Sequence, residues 1–459
     1  MRTKSSAILL GSLVTLVGCG SGSEQAAPEK ITWHQHIAPM VAKHCGSCHE
    51  AGGSGPFAFD TYESAKTVAG AMLGAVEAGT MPPWFARDTE TCKPTRPWKD
   101  DLRLSAEEMA NLRTWVETGL LEGDAATATP LPPKPELQLK SPTKSMQFAA
   151  PYTVDGTSDD FQFFVLDPGN TEQVWLTAAQ VRPGNAKVDH HALVYLDVDG
   201  ATAGLVGPDG RVPCFGLPNV KGFLFSAWAP GALPTRMPET SGMPMKPGAK
   251  IFVQMHYHPT GKGPEIDQST LDIEWTTTQP AWEAALALLG NNKKQDADGL
   301  GLQPGPNDSG STAEFKIPAG AKGHTETMIY RQKIPIGLPI FSVGTHMHYV
   351  GTDMEIQFKS NSEGTEECLV ETPNWNFNWQ RLYAFDTPIS EYPVIRPGDE
   401  LQMKCTYDNS LGNPFVGQAL KDQGLSQPVD VVLGEQTLNE MCLGIFGVLG
   451  PPGILDQAF

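Results

Sequence analysis

The residues best placed to do chemistry in this 459-residue chain are seven histidines beyond its first third and one cysteine–histidine motif near its start. The histidines come grouped as His190-His191, His256 with His258, and His346 with His348, with His324 alone. Two side chains at i and i+2 on a strand share a face, which is a direct way to offer a metal two imidazoles. His346-Met347-His348 has that spacing. Neighbours on a regular strand point to opposite faces, so His190 and His191 can share a metal only at a loop-to-strand junction or a distortion. Asp189 and the Gly184-Asn185 turn before them allow one.

The other motif is Cys45-Gly46-Ser47-Cys48-His49. Cys-x-x-Cys-His is the attachment sequence of a c-type haem, in which two thioethers hold the porphyrin and the histidine ligates iron. A thioredoxin-like pair or a plain disulfide is the competing reading. Ser105-Ala106-Glu107-Glu108 is a capping box, followed at helical spacing by Met109, Leu112, Val116 and Leu120. A closing amphipathic helix of this kind resembles that of small cytochromes c, so residues 30–123 are expected to be a small all-α haem domain. Met81, in the stiff loop Thr80-Met81-Pro82-Pro83-Trp84, is the expected sixth iron ligand, with Met72 and His44 as alternatives.

These motifs must be carried by elements whose class the composition suggests. High glycine and proline counts, 47 and 39, with short β-branched and aromatic runs, point to mainly β structure. Phe161, Phe163 and Val165 alternate as on one strand face, and Leu193 and Tyr195 as on another. The Ala-Thr-Pro stretch within 124–145 reads as a linker. The net charge of −19 argues against a nucleic-acid partner and against anionic lipid. At the N-terminus, Arg2 and Lys4 precede an apolar run, Ala7 to Val17, too short for a stable membrane span. Leu16-Val17-Gly18-Cys19 then resembles a bacterial lipobox, which implies a signal peptide over 1–19 and a lipidated Cys19. Gly20 in place of an aspartate favours the outer membrane, on its periplasmic side or at the cell surface of a Gram-negative bacterium. Membrane contact would be through that anchor alone.

Four segments in order, Asp189-His190-His191-Ala192, Gln254-Met255-His256-Tyr257, Thr345-His346-Met347-His348 and Asn439-Glu440-Met441-Cys442, resemble the ligand segments of the copper type II, ascorbate-dependent monooxygenases. The resemblance covers roughly residues 146–455. It implies two antiparallel jelly-roll sandwiches, 146–275 and 276–459, with one copper on each. His190, His191 and His256 would hold an electron-transfer copper, and His346, His348 and Met441 the copper that binds O2. It also implies a Cys405–Cys442 disulfide. Three neutral imidazoles suit a copper that cycles between Cu(II) and Cu(I), and a thioether favours Cu(I). Zinc competes for the three-histidine set, but a weak thioether does not recommend zinc at the other.

The resulting expectation is a copper monooxygenase using O2, a small organic substrate and two electrons. The reductant would be ascorbate or a periplasmic cytochrome donor, with electrons entering at the fused haem and passing to the three-histidine copper. The alternative is a copper-binding or electron-transfer lipoprotein without catalysis. The peptide-amidating members carry polar substrate contacts where this chain has Gly344, Leu443 and Ile445, so a more apolar pocket is expected. Of the remaining cysteines, the sequence leaves the pairing of Cys92, Cys214 and Cys368 open; one option pairs Cys214 with Cys368 and leaves Cys92 free or paired between chains. His258 is read as an outer-shell group, a substitute ligand or a surface residue, and His324 as solvated. Trp375, Phe377 and Trp379 are read as core packing, and Met347 and Tyr349 as pointing away from the histidine ligands.

Overall fold

A computed structural model describes residues 30–51, 55–132, 138–156, 159–197, 200–212, 222–230, 232–309, 312–434, 436 and 438–455. Cys19, the 1–19 segment and Cys214 lie outside them. Among the described residues, no helix is long and apolar enough to cross a membrane.

Three helices occupy the N-terminal part: α1 (Ala38–His44), α2 (Tyr62–Glu77) and α3 (Ala106–Glu117). The Ser105 hydroxyl accepts from the Glu108 N–H and the Glu108 carboxylate from the Ser105 N–H, which closes the capping box that starts α3. Ile37, Met72, Leu112 and Trp115 pack into a core belonging to these helices. His44 is buried there, with its ring nitrogens 3.0 Å from both Glu108 and the Leu102 carbonyl. Neither nitrogen is left for iron.

The rest of the chain is mainly β. One ten-stranded sheet runs through both halves, joined where Trp282–Gly290 pairs in parallel with Ser241–Met245. Two five-stranded sheets accompany it. One carries Asp160–Leu166, Lys250–Tyr257, Asp189–Asp197 and Gly222–Trp228 in that order, and the other is built around Lys322–Arg331, Glu400–Asp408 and Gly351–Ser360. A single apolar core extends across both halves. Phe161 and Val165 do alternate on Asp160–Leu166, each half-buried beside the fully buried Phe163.

Residues 84–101 leave the helices and join this β core. Trp84 meets Tyr383 edge-on at 5.1 Å, Trp98 stacks on Phe385 at 5.1 Å, and the Lys99 N–H donates to the Ala384 carbonyl. That path brings Cys92 to Cys368, and the two form a disulfide across 276 residues. This excludes the Cys214–Cys368 option, and Cys92 is not free. Nothing in its spacing announced that a loop between two helices would cross to a distant strand. The second bridge, Cys405–Cys442, is the pair the family resemblance implied.

Candidate metal centres

His190 and His191 stand on Asp189–Asp197, beside His256 on Lys250–Tyr257. His256 pairs with His191, but Tyr257 pairs with Asp189, so His190 is an extra residue in a β-bulge. This is the distortion that the adjacent histidines require. The Asn185 turn sets it up: the Val188 and Asp189 N–H groups donate to its carbonyl, and its own N–H donates to the Asp189 carboxylate. The bulge turns both rings to one side, and the three Nδ1 atoms stand 3.1, 3.2 and 3.3 Å apart.

The far side of the His190 ring fixes which nitrogen carries the proton, and a nearby carboxylate favours the same choice at His256. His190 Nε2–H donates to Asn378 Oδ1 at 2.9 Å, and His256 Nε2 lies 3.3 Å from the Asp159 carboxylate. The Nδ1 lone pairs of His190 and His256 then face each other, an arrangement favourable only around a cation. Nitrogens bound at about 2.0 Å to one tetrahedral ion stand about 3.3 Å apart, so the set fits a metal. Burial, then the neighbouring His256, lowers the His190 pKa to about 4, and the same two causes hold His191 well below the usual range. His258 donates to Asp159 at 2.7 Å with its ring largely in solvent, and its ring centroid stands 6.2 Å from that of His190. Burial raises the Asp159 pKa, but its bonds to His256 and His258 outweigh this and hold it well below the carboxylate range.

The second set is assembled differently. Leu338–His346 ends at His346, and His348 lies two residues beyond it, so the pair is not on one strand face as its spacing suggested. Their rings are perpendicular, with centroids 5.3 Å apart. His346 Nδ1–H donates to Gln380 Oε1 at 2.6 Å and His348 Nδ1–H to the Asn439 carbonyl at 3.0 Å, leaving Nε2 of each free to ligate. Burial lowers both pKa values, that of His348 to about 3. The buried Glu440 carboxylate accepts from the N–H groups of His348, Val350 and Met441, at 2.7, 3.1 and 2.9 Å. It thereby ties the histidine loop to the methionine segment. Burial pushes its pKa up to about 8 against the pull of those donors. Cys442 anchors the other end of that segment, and Gly290 (φ +112°) lets Trp282–Gly290 pass it, since a Cβ there would lie 2.2 Å from the Cys442 carbonyl oxygen.

Both sets open on one cavity of about 560 Å³, lined by His191, His256, His346, His348 and Met441. Most of its wall is apolar, including Leu193, Leu224, Trp228, Phe341, Leu443 and Ile445. Leu443 and Ile445 are the positions from which sequence reasoning expected an apolar pocket. Phe377 sits between the two sets, its ring centroid 5.7, 6.1, 6.2 and 6.0 Å from those of His190, His191, His256 and His348. Trp375 and Phe377 are buried, as core packing requires, but Phe377 and Trp379 also line the cavity and Trp375 donates to the His348 carbonyl, so the segment borders the site as well. Tyr349 also lines the cavity and packs on Phe377 at 4.4 Å, contrary to its expected outward direction. Met347 is fully buried. His324 is not solvated: it is 5% exposed on Lys322–Arg331 and lies 2.9 Å from the buried Glu326. Sequence reasoning missed Asp159, Asn378, Gln380 and Glu440. Only Glu440, beside Met441, stood next to a quoted ligand.

In the helical part, Cys45 and Cys48 form no disulfide, and burial pushes the Cys45 thiol up to about 12. His49 Nδ1–H donates to the Phe57 carbonyl at 2.8 Å, which leaves the lone pair on Nε2. Its ring stacks on Phe59 at 4.3 Å. Met81 is half-buried just after α2, whereas Met72 is a core residue of that helix.

No curated protein matches this chain. Among solved structures, the chain is similar to the major capsid protein P2 of bacteriophage PM2, at 11% identity over 64% of this chain and 98% of that one, with a TM-score of 0.24. The STIV MCP gives 9% identity over 68% and 98%, with a TM-score of 0.25. A Paenibacillus xanthan lyase gives 12% identity and a TM-score of 0.19; the match covers 72% of this chain, which spans only 28% of the lyase. Scores this low carry no argument about the fold. Residues 310–444, which hold His346, His348 and Met441, match the family model of the copper type II ascorbate-dependent monooxygenase C-terminal domain, and that similarity supports an oxidoreductase of this copper-dependent type.

Proposed function

We propose that this protein is a copper-dependent monooxygenase that hydroxylates a C–H bond of a small organic substrate with O2 and two electrons. The observation that carries the reading is the pairing of two unlike donor sets on one largely apolar cavity, three Nδ1 nitrogens on one side and two imidazoles near a methionine on the other. Copper bound at His190, His191 and His256, and at His346, His348 and Met441, would supply one-electron redox chemistry and the activation of O2. The chain's own part is to orient and exclude. Asp159 and Asn378 keep protons on the outer nitrogens of one set, and Gln380 and the Asn439 carbonyl do so for the other. Phe377 and the leucine walls keep bulk water from the space between.

The two electrons come from ascorbate or a periplasmic cytochrome. A haem c attached to Cys45 and Cys48, with His49 and Met81 as axial ligands, would carry them singly. Residues 84–101 support this role, because they bind the helical part to the wall of the cavity. The protein is further proposed to be lipid-anchored through Cys19 on the periplasmic or outer face of the outer membrane.

Elemental analysis of copper-loaded protein tests the assignment. Two coppers and one iron per chain are expected, and Met441→Ala should abolish O2-dependent product while keeping the three-histidine copper. One copper or none would sink the monooxygenase reading. His49→Ala should slow copper reduction by a cytochrome donor and spare ascorbate-driven turnover; equal survival of both routes would remove the haem as donor.

A further inference from the structure

Arg381 directly follows Gln380, the acceptor of the His346 proton, and its side chain lines the same cavity. Its guanidinium lies 4.9 Å from the centroid of the Trp84 ring. Among the described residues it makes no hydrogen bond and no ion pair. Burial disfavours its charge, and Tyr383, Asp100, Cys48 and Asp101 favour it only through space. A guanidinium does not give up its proton, so this is a part-buried cation with no directly bonded counter-charge, balanced only at a distance by acidic groups such as Asp100 and Asp101, an arrangement that a protein keeps at a cost in stability. Beside it the indole N–H of Trp84 is a buried donor without an acceptor. Two adjacent donors on one wall therefore await an acceptor.

The other charges on the wall are engaged or lie at its mouth. Asp159 serves His256 and His258, Arg236 stands 3.3 Å from Glu274, and Lys99 and Asp100 are exposed. Beyond these groups most of the cavity wall is hydrocarbon. A guanidinium stacked on an aromatic face still presents its in-plane N–H fork, and the group that fits this fork is a carboxylate.

We propose that Arg381 anchors the carboxylate of the substrate, so that the substrate is an organic acid with an apolar body. The carboxylate seats on Arg381, and the hydrocarbon lies along Leu224, Trp228, Phe341 and Leu443 toward His346, His348 and Met441. The substrate role rests on the monooxygenase reading, whereas the binding of a carboxylate does not. A haem propionate carries the same chemistry, and the test separates the two sources.

The experiment is calorimetric titration of the full, copper-loaded, haem-containing chain with octanoate and with octan-1-ol. The acid should bind at least about tenfold more tightly than the alcohol. Arg381→Gln should erase that difference without weakening octanol binding, and Arg381→Lys should retain part of it. Equal affinities in the wild type overturn the anchor without any variant having to fold, as does a failure of both ligands to bind. A preference for acid seen only in a haem-free Cys45→Ser/Cys48→Ser protein assigns Arg381 to a propionate and also overturns it. Copper content is measured on the same samples. Two coppers without an octanoate preference sink the anchor and leave the monooxygenase standing. An octanoate preference that is lost in Arg381→Gln, in a chain that holds no copper, upholds the anchor and removes that reading.

Discussion

The two donor sets differ in what holds them. His190, His191 and His256 stand on paired strands, and a one-residue bulge aims them, so backbone pairing places the nitrogens before any metal arrives. His346, His348 and Met441 come from a strand end and two loops, and they are held together by one buried carboxylate and one disulfide. The first set is preorganised by a sheet, the second by a clamp. A sheet distributes its restraint over many hydrogen bonds, whereas a clamp concentrates it in a few groups that single substitutions can remove.

The largest expected effect breaks the first set at its ligands. His191→Ala removes one of three converging nitrogens and should cost that copper at least about a hundredfold in affinity. Metal content should fall from two coppers to one, with the thermal transition of the apoprotein little changed. If both coppers persist at wild-type affinity, the three nitrogens are not a metal site.

The second set should break through the fold as well as through its ligands. Glu440→Ala strands three buried N–H donors, at about 1–3 kcal/mol each where no water replaces the carboxylate. A loss of about 3 kcal/mol in denaturant unfolding is expected, together with selective loss of the copper at His346, His348 and Met441. Glu440→Gln should lie between, since its amide oxygen can accept while its NH2 opposes a donor. Equal loss of both coppers in either variant would show that the clamp serves the whole fold and not this set.

The same contrast explains what the sequence disclosed. The six proposed copper ligands were named from a family resemblance carried by four ordered segments, which needs no knowledge of the fold. The reasons given for them fared less well. The i, i+2 pair was read as one strand face, but the strand stops at His346 and His348 is placed by a loop. The adjacent pair looked awkward, and the bulge that rescues it is visible only in the register against Lys250–Tyr257. Asp159 and Asn378 were invisible because they reach His256 and His190 from far along the chain. The Cys92–Cys368 bridge was missed for the same reason, and His324 because a buried partner two residues away looks polar in sequence. The helix over 106–117 was legible because a capping box is local chemistry.

A smaller effect sharpens the comparison by touching only support for the first set. Asp159→Asn keeps the shape but removes the charge that favours a proton on His256 Nε2 and a lone pair on Nδ1. Copper affinity at the three-histidine set should fall about 10- to 100-fold, with the other copper unaffected. His258→Ala should do less, because the carboxylate keeps its contact with His256. An equal fall for His258→Ala would make that ring a ligand in its own right.

The last contrast is a pH dependence of the metal-free protein. The folded state holds His190 near 4 and His348 near 3, below the ordinary histidine value of 6.5, because burial disfavours their charged forms. Between those values and 6.5 the unfolded chain binds more protons than the folded one, so stability rises with pH across that window. The contribution is fully present above about 6.5 and is lost as the pH falls through the folded values. The apoprotein's thermal midpoint should therefore decline on acidification from about pH 6.5 toward pH 4. His190→Asn and His348→Asn should each flatten the decline, and His348→Asn should still do so at the acid end of the range, where His190 is already protonated in the folded state. Bound copper should deepen the same slope, because protons compete for the nitrogens that hold it. A midpoint independent of pH across this window would mean that water reaches both sets of rings in the absence of metal, and that the sheet and the clamp keep their nitrogens in place without keeping them dry.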